Sequence, residues 1–419
     1  MIEWIGSQPW SSGKVAMAGI SYYGMVGYWA AMQKPPHLTC VLAYEAACDM
    51  YQAVRRGGVY SSNFHEHWYH NIVVPYQRSC KEGDDDKSPA ASRVDYNDII
   101  ETCEYPDQGP WPVLFEARKL SDIQIPFYTA GNWTDPELHL PGNIMAFNEI
   151  SSEHKWLEMH TGNHLAAFYE KDHIEKEKQF LDYFLKDAKD NGMLDVPRTR
   201  VQVRRGQDTF YRVEQSMPPR DAQSTKLFLT RDRKLAHDEP SSKAEAFEYE
   251  GLTGSVTFLS EPFNEQLDVL GSPYLELQVS TEAEDLDLFV YLRALDSEGQ
   301  PVVLPGNHGE PTVSFSRGFW RLSHRDEQAQ FLKDGYPKVI PTARSRVEKG
   351  KVYDVVVPLF PTSYCFDKGY KLQVEIGSVD EKGTIPPMQH TGGDRTKARF
   401  GGKNSFLSNG CLVLPHVAR

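Results

Sequence analysis

The sequence predicts an α/β fold followed by an antiparallel β-sandwich, and three observations predict it. The apolar run Val15–Ile20 leads straight into Gly19-Ile20-Ser21-Tyr22-Tyr23-Gly24 and then into a helical stretch. Four buried-strand candidates recur before residue 199 at the spacing of alternating strands and helices. From Thr199 onward the pattern changes to alternating strands punctuated by Gly, Pro, Asp and Asn. These patterns place an α/β unit over residues 1–198, with an insertion at about 49–120, and a sandwich of the jelly-roll kind over 199–419.

The elements follow in order. Ile2, Trp4 and Ile5 form the apolar side of a short helix that Gly6 stops, and a loop runs to Gly13. Val15–Ile20 is the first buried strand. The helix after it carries Met25, Val26, Tyr28, Trp29, Ala31 and Met32 and ends before Pro35-Pro36. Val41–Tyr44, Ile125–Gly131 and Trp156–His160 are the next strands. Helices are expected over Asn143–Ile150 and Ala167–Lys189, the latter stopped by Asn191-Gly192. Roughly 80 residues separate the second and third strands, far beyond an ordinary connection, so this segment reads as a helical cap over the strand ends. Within it, Lys81 to Lys87 is a solvated charged loop. The sandwich strands are expected at Arg200–Arg204, Lys226–Leu229, Gly254–Phe258, Tyr274–Val279, Leu286–Ala294, Val352–Val357 and Tyr370–Ile376.

Composition narrows the function classes. A net charge of −13 over 419 residues argues against a nucleic-acid partner, which needs a basic footprint. Val15 to Met32 is uncharged, but Gly19, Ser21, Gly24 and Gly27 interrupt it, so a strand–turn–helix explains it better than a membrane span. The six cysteines have no C-x-x-C pair, and Glu3 stands where a secretory leader would be basic. Reduced thiols in a cytoplasmic protein are therefore expected.

Ser21 follows a strand and precedes a helix, with a glycine two positions before it. That is the layout of a nucleophile elbow, whose strained turn lifts the hydroxyl above the sheet. Such a serine needs an acid and then a histidine, each past a later strand. Asp135 follows the third strand, where it either orients an imidazole or caps a turn. After the fourth strand two histidines compete for the base: His160 continues the strand, and His164 lies on the loop beyond, the better reach across the sheet's end. His65 and His67 are two apart, which does not put them on one helix face, so a structural role fits them better than metal binding. Tyr51, Tyr60, Phe64, Trp68 and Tyr69 either line an acyl pocket or form the cap's own core. Glu45 and Asp49 follow the second strand, where they meet a substrate ammonium or start a helix.

Together these segments resemble the CocE/NonD hydrolases of the X-Pro dipeptidyl-peptidase superfamily. The elbow matches that family's Gly-x-Ser-Tyr-x-Gly, late glycine included. Gly131-Asn132-Trp133-Thr134-Asp135 is similar to its acid loop, and His164 falls where its histidine follows the last core strand. Gly318 to Arg325 and Pro361-Thr362-Ser363-Tyr364 look like signatures of its jelly-roll domain. The resemblance implies an α/β-hydrolase core and acyl transfer to water. Ser21 would be the nucleophile, His164 the base, Asp135 its orienting acid and the Tyr22 backbone N–H an oxyanion donor. It implies no metal or organic cofactor, and a small-molecule ester or peptide as substrate. Family members normally begin with several strands ahead of the elbow, which this chain is expected to lack. One branch draws its other oxyanion donor, a tyrosine hydroxyl, from that region. The first strand would then be an apolar edge open to pairing with another chain, so a homo-oligomer is open. The competing reading is a catalytically impaired homologue whose sandwich serves binding or assembly.

Overall fold

The computed structural model describes residues 1–73, 104, 119–135, 137–240, 243–327 and 345–418. The expected loop at Lys81–Lys87 and most of the insertion lie outside them. After a short helix α1 (Ile2–Gly6), the core is built from β1 (Val15–Ile20), α2 (Tyr22–Met32) and β2 (Leu38–Tyr44). β3 (Phe127–Asn132), α5 (Leu140–Glu149), β4 (Lys155–His160) and α6 (Lys171–Leu185) complete it, and β5 (Thr199–Arg205) is the last of its parallel strands. Between β2 and β3 lie α3 (Met50–Val54), a two-residue hairpin at Arg55–Arg56 and Val59–Tyr60, and α4 (Ser62–Trp68). The five strands pair in parallel in the order β1-β2-β3-β4-β5, with Ile20 opposite Tyr44 and Asn132 opposite His160. That register brings the carboxyl ends of β1 to β4 to one rim.

Burial explains the strand composition. Cys40, Leu42, Tyr44, Tyr128, Ala130 and Trp156 pack under α6 on one face; Val41, Ala43, Phe127, Leu157 and Met159 pack under α2 and α5 on the other. β2 and β3 therefore read as nearly continuous apolar runs. β1 pairs with β2 alone among the described residues; its Val15, Ala16 and Met17 are half-buried and Ala18 is exposed. The helix expected over Ala167–Lys189 is two helices: Ala166–Tyr169 ends at Glu170, whose extended backbone (φ −73°, ψ 141°) restarts the chain at Lys171.

After β5 the chain turns back antiparallel into β6 (Asp208–Glu214), and Arg204 also pairs with Tyr364 in a later strand, so the hydrolase sheet runs into the sandwich. The sandwich has Tyr274–Thr281, Asp287–Leu295 and Lys371–Gly377 among its longest strands, paired antiparallel with their neighbours. Its core alternates inward residues such as Leu275, Leu277, Leu288, Val290, Leu292, Val374 and Ile376.

Candidate active site

The backbone at Ser21 has φ 57° and ψ −127°, a conformation costing about 1–3 kcal/mol that surrounding structure must enforce. Enforcement is visible: the Ser21 N–H donates to the Tyr44 carbonyl of β2 (3.0 Å), and the Ser21 carbonyl accepts from Met25 of α2 (2.9 Å). The two flanking glycines have separate reasons. A Cβ on Gly19 would stand 2.5 Å from the Tyr23 Cβ, and one on Gly24 would meet Ala46 Cβ and the Gly19 carbonyl, each at 2.9 Å. The late glycine thus lets α2 lie against the ends of β1 and β2.

From β3 the chain turns at Trp133 and Thr134 and delivers Asp135, which is 1 % exposed. Asp135 Oδ1 accepts from the Leu138 backbone N–H (3.2 Å), which closes the turn that begins α5. One turn on, His139 Nδ1 donates to Asp135 Oδ2, and His139 Nε2 faces Ser21 Oγ at 3.1 Å. With Nδ1 carrying the proton toward the carboxylate, Nε2 is left to accept the serine proton. Burial works against ionising Asp135, but the adjacent His139 outweighs it and holds the carboxyl far below its ordinary range. Burial dominates at His139 and lowers its pKa to about 4, against the pull of Asp135.

A second carboxylate–imidazole pair lies alongside. Glu45, fully buried just after β2 with φ 39°, accepts from His164 Nδ1 on Oε2 (2.7 Å). Asn132 Nδ2 reaches its Oε1 (3.2 Å), Asn307 Nδ2 reaches Oε2 (3.4 Å), and His160 Nε2 stands 3.7 Å from Oε1. Burial raises Glu45 to about 7, and His164 is raised because Glu45 outweighs the burial of its ring. The His164 ring stacks on His139 with centroids 5.0 Å apart and planes 11° from parallel, and His308 stacks on His164 at 5.5 Å.

Ser21 and Asp135 therefore meet in one cluster, but the imidazole that touches both is His139, which sequence reasoning did not single out. His164 lies one ring away and bonds Glu45. His160 is buried, and its Nδ1 faces the Thr161 carbonyl at 3.5 Å. Glu45 meets imidazoles and amides, and Asp49 accepts from the Gln52 N–H to cap α3. One signal for His139 was present: Asp135-x-x-x-His139 is the spacing that brings two side chains together across a helical turn.

A pocket opens beside Ser21, lined by Tyr22, Met25, Met50, Phe64, Trp68, Tyr69 and Leu138, with His139 in its wall. Phe64, Trp68 and Tyr69 thus line the pocket, whereas Tyr51 and Tyr60 are core residues, with Tyr51 Oη donating to the Glu104 carbonyl. His65 is buried with Nδ1 on the Ser61 carbonyl, a structural role. Glu45, Asp135, His139 and His164 offer ligand-type atoms within 4.8 Å of one another. Each is engaged in the two hydrogen-bonded pairs, and nearly parallel imidazole planes do not aim their nitrogen lone pairs at one point, so the set fits a proton relay better than a cation cage.

A strained serine at a strand–helix turn, with an imidazole and a buried carboxylate at the rim of a parallel sheet, defines a serine hydrolase of the α/β type. Residues 1–166 match the X-Pro dipeptidyl-peptidase (S15 family) and residues 191–410 match the X-Pro dipeptidyl-peptidase C-terminal non-catalytic domain. The chain belongs to the X-Pro dipeptidyl-peptidase superfamily. It is 23% identical over 486 residues to a Mycobacterium bovis protein named as a serine esterase, covering 91% of this chain and 73% of the relative. A CocE/NonD family hydrolase from Staphylococcus aureus superposes with a TM-score of 0.86 at 26% identity, over 100% of this chain and 74% of that one. An α-amino-acid ester hydrolase, at 16% identity and TM-score 0.71 over 99% of this chain and 79% of that one, shares the fold. No helix among the described residues is long and apolar enough to cross a membrane.

Proposed function

We propose that the protein hydrolyses esters of apolar acyl groups through an acyl-enzyme on Ser21. The observation that carries this is the hydrogen-bonded series Ser21 Oγ–His139 Nε2, His139 Nδ1–Asp135 Oδ2 at the mouth of an apolar pocket. His139 takes the serine proton as Ser21 attacks the carbonyl, then gives it to the leaving group, while Asp135 holds the tautomer. Water attacks the acyl-enzyme by the same exchange in reverse. The Tyr22 N–H, in the first turn of α2 where amide protons lack intrahelical acceptors, is the proposed oxyanion donor.

The apolar wall of Tyr22, Met25, Met50, Phe64, Trp68 and Leu138 supports an apolar acyl group at Ser21. The adjacency of His164, stacked on His139 and anchored by its own carboxylate, supports a second reading in which His164 is the base on Ser21. Fluorophosphonate labelling tests the core of the proposal. Wild type is expected to label and Ser21→Ala not at all; persistent labelling of the variant would refute the nucleophile. Short p-nitrophenyl esters are expected to turn over and an X-Pro p-nitroanilide is not.

A further inference from the structure

Among the described residues the sandwich reaches the catalytic rim through the buried Arg317–Glu137 ion pair and through the turn Gly306-Asn307-His308-Gly309-Glu310. Gly306 N–H to Glu310 carbonyl (2.9 Å) and His308 N–H to Glu310 Oε2 (3.1 Å) close this turn on itself. Asn307, 2 % exposed, then makes four contacts with the hydrolase unit. Its N–H donates to the Thr134 carbonyl (3.3 Å), next to Asp135. Its carbonyl accepts from the His164 N–H (3.3 Å) and from Asn163 Nδ2 (3.4 Å), and its Nδ2 reaches Glu45 Oε2 (3.4 Å). One sandwich residue therefore touches the acid loop, the loop carrying His164 and the second carboxylate.

We propose that Glu45 and Asn307 are positioning residues that hold His164 flat against His139, so that the sandwich helps to set the orientation and charge of the imidazole stacked on the one that faces Ser21. The inference rests on the serine-hydrolase reading given above. It extends that reading by giving work to a second carboxylate and to a domain class described as non-catalytic. Three geometric facts carry it. Glu45 is fully buried and holds a left-handed backbone (φ 39°), which an ordinary loop glutamate avoids. Its two oxygens are committed to His164, Asn132 and Asn307. The His164 ring cannot tilt freely, because His139 stacks on it at 5.0 Å and His308 at 5.5 Å.

The groups facing these rings fix the sign of the effect. His139 faces Ser21, Asp135 and His164, and feels His308; His164 faces Glu45, His139 and His308, and feels Asp135; Glu45 also faces His160. With Glu45 in place, His164 is held above its ordinary range, because the carboxylate outweighs the burial of its ring. Removing the carboxylate leaves that burial unopposed, so His164 should titrate lower.

The test uses the full chain with 13Cε1-labelled histidine, followed by NMR across pH, in wild type, Glu45→Gln and Asn307→Ala. His139→Ala and His164→Ala supply the assignments. The expected result is that His164 titrates lower in Glu45→Gln, with a smaller shift of the same sign in Asn307→Ala. Unchanged titration of His164 in the two variants, or an upward move, overturns the proposal. Should Glu45→Gln fail to fold, Asn307→Ala decides alone, because it leaves the backbone contacts in place. The readout does not depend on turnover, so absent fluorophosphonate labelling of wild type would sink the hydrolase reading while leaving this result legible.

Discussion

At the scale of single residues, His139 and His164 differ in what their two ring edges touch. His139 is bonded to a carboxylate at one edge and to the serine hydroxyl at the other, whereas the bonded edge of His164 goes to Glu45. His139→Ala is accordingly expected to lower the fluorophosphonate labelling rate by about three orders of magnitude or more. His164→Ala should lower it by about tenfold, because in the proposed relay His164 is a neighbour of the base. Equal losses in the two variants, or a deeper one in His164→Ala, would move the base to His164. The depressed pKa of His139 also fixes a pH dependence. The imidazole accepts a proton only while neutral, so the labelling rate should hold steady as pH drops from 8 to 5 and fall as it approaches about 4. A midpoint near 6.5 would show that burial does not govern this ring. Ser21 and Asp135, which the structure brings into one cluster, could be singled out in the sequence because each stands at a strand end with a local signature. His139 was not, since it stands at the start of a helix four residues after the acid, and a search for one group per strand end passes over it. Glu45 was visible as a residue, but its partner lies 119 positions away, a pairing that only the three-dimensional packing reveals.

The strands of the α/β sheet were legible at the scale of elements because burial on both faces writes a continuous apolar run. Val15–Ile20 has the ends read from the sequence, and β2, β3 and β4 differ by a few residues at their ends. The break at Glu170 was hidden because Ala166–Tyr169 and Lys171–Leu185 both carry helix-forming residues, and only the extended dihedrals of one residue separate them. The elbow depends on close approach of elements, which predicts the effect of one methyl group. Gly24→Ala would press a Cβ against Ala46 Cβ and the Gly19 carbonyl, both at 2.9 Å, and the Tyr44 carbonyl at 3.2 Å. The strand ends cannot yield easily, so a loss of about 1–3 kcal/mol is expected from urea unfolding, with reduced labelling of Ser21. Unaltered stability would mean that α2 shifts freely over the sheet.

Across the whole molecule, buried charge ties the sandwich together and ties the insertion to it. Arg321, fully buried, donates from Nε and Nη2 to Asp287 (2.8 and 3.0 Å) and from Nη2 to Asp394 (3.1 Å). Its Nη1 also meets Glu104, a residue of the segment between β2 and β3, at 3.4 Å. Arg321→Met would leave buried carboxylates short of a partner and is expected to cost about 3–5 kcal/mol, measured by guanidinium unfolding at neutral pH. Burial works against ionising Asp287, but Arg321 outweighs it and holds the carboxyl below its ordinary range. A carboxyl depressed in the folded state adds stability above its unfolded pKa and loses it as pH falls through the folded value. The gap between wild type and Arg321→Met should therefore narrow below about pH 4, and a constant gap would assign the loss to packing instead. An α/β core followed by an all-β region was legible from the change of strand pattern along the chain. The insertion of the Asn307 turn into the hydrolase rim was not, since a five-residue polar turn carries no mark of what it will touch.

Asp135 and His139 belong to one turn of chain, closed by the Leu138 N–H on Asp135. The proposed acid and base therefore travel together when the sheet breathes, and the loop after β4 can flex without separating them. Ser21 stands on a different support, two strands away across β2. Thermal motion of the relay is thus funnelled into a single coordinate, the gap between Ser21 Oγ and His139 Nε2, and the spacing of β1 from β3 becomes the dial on which temperature, pressure or a neighbouring surface would tune the enzyme's rate.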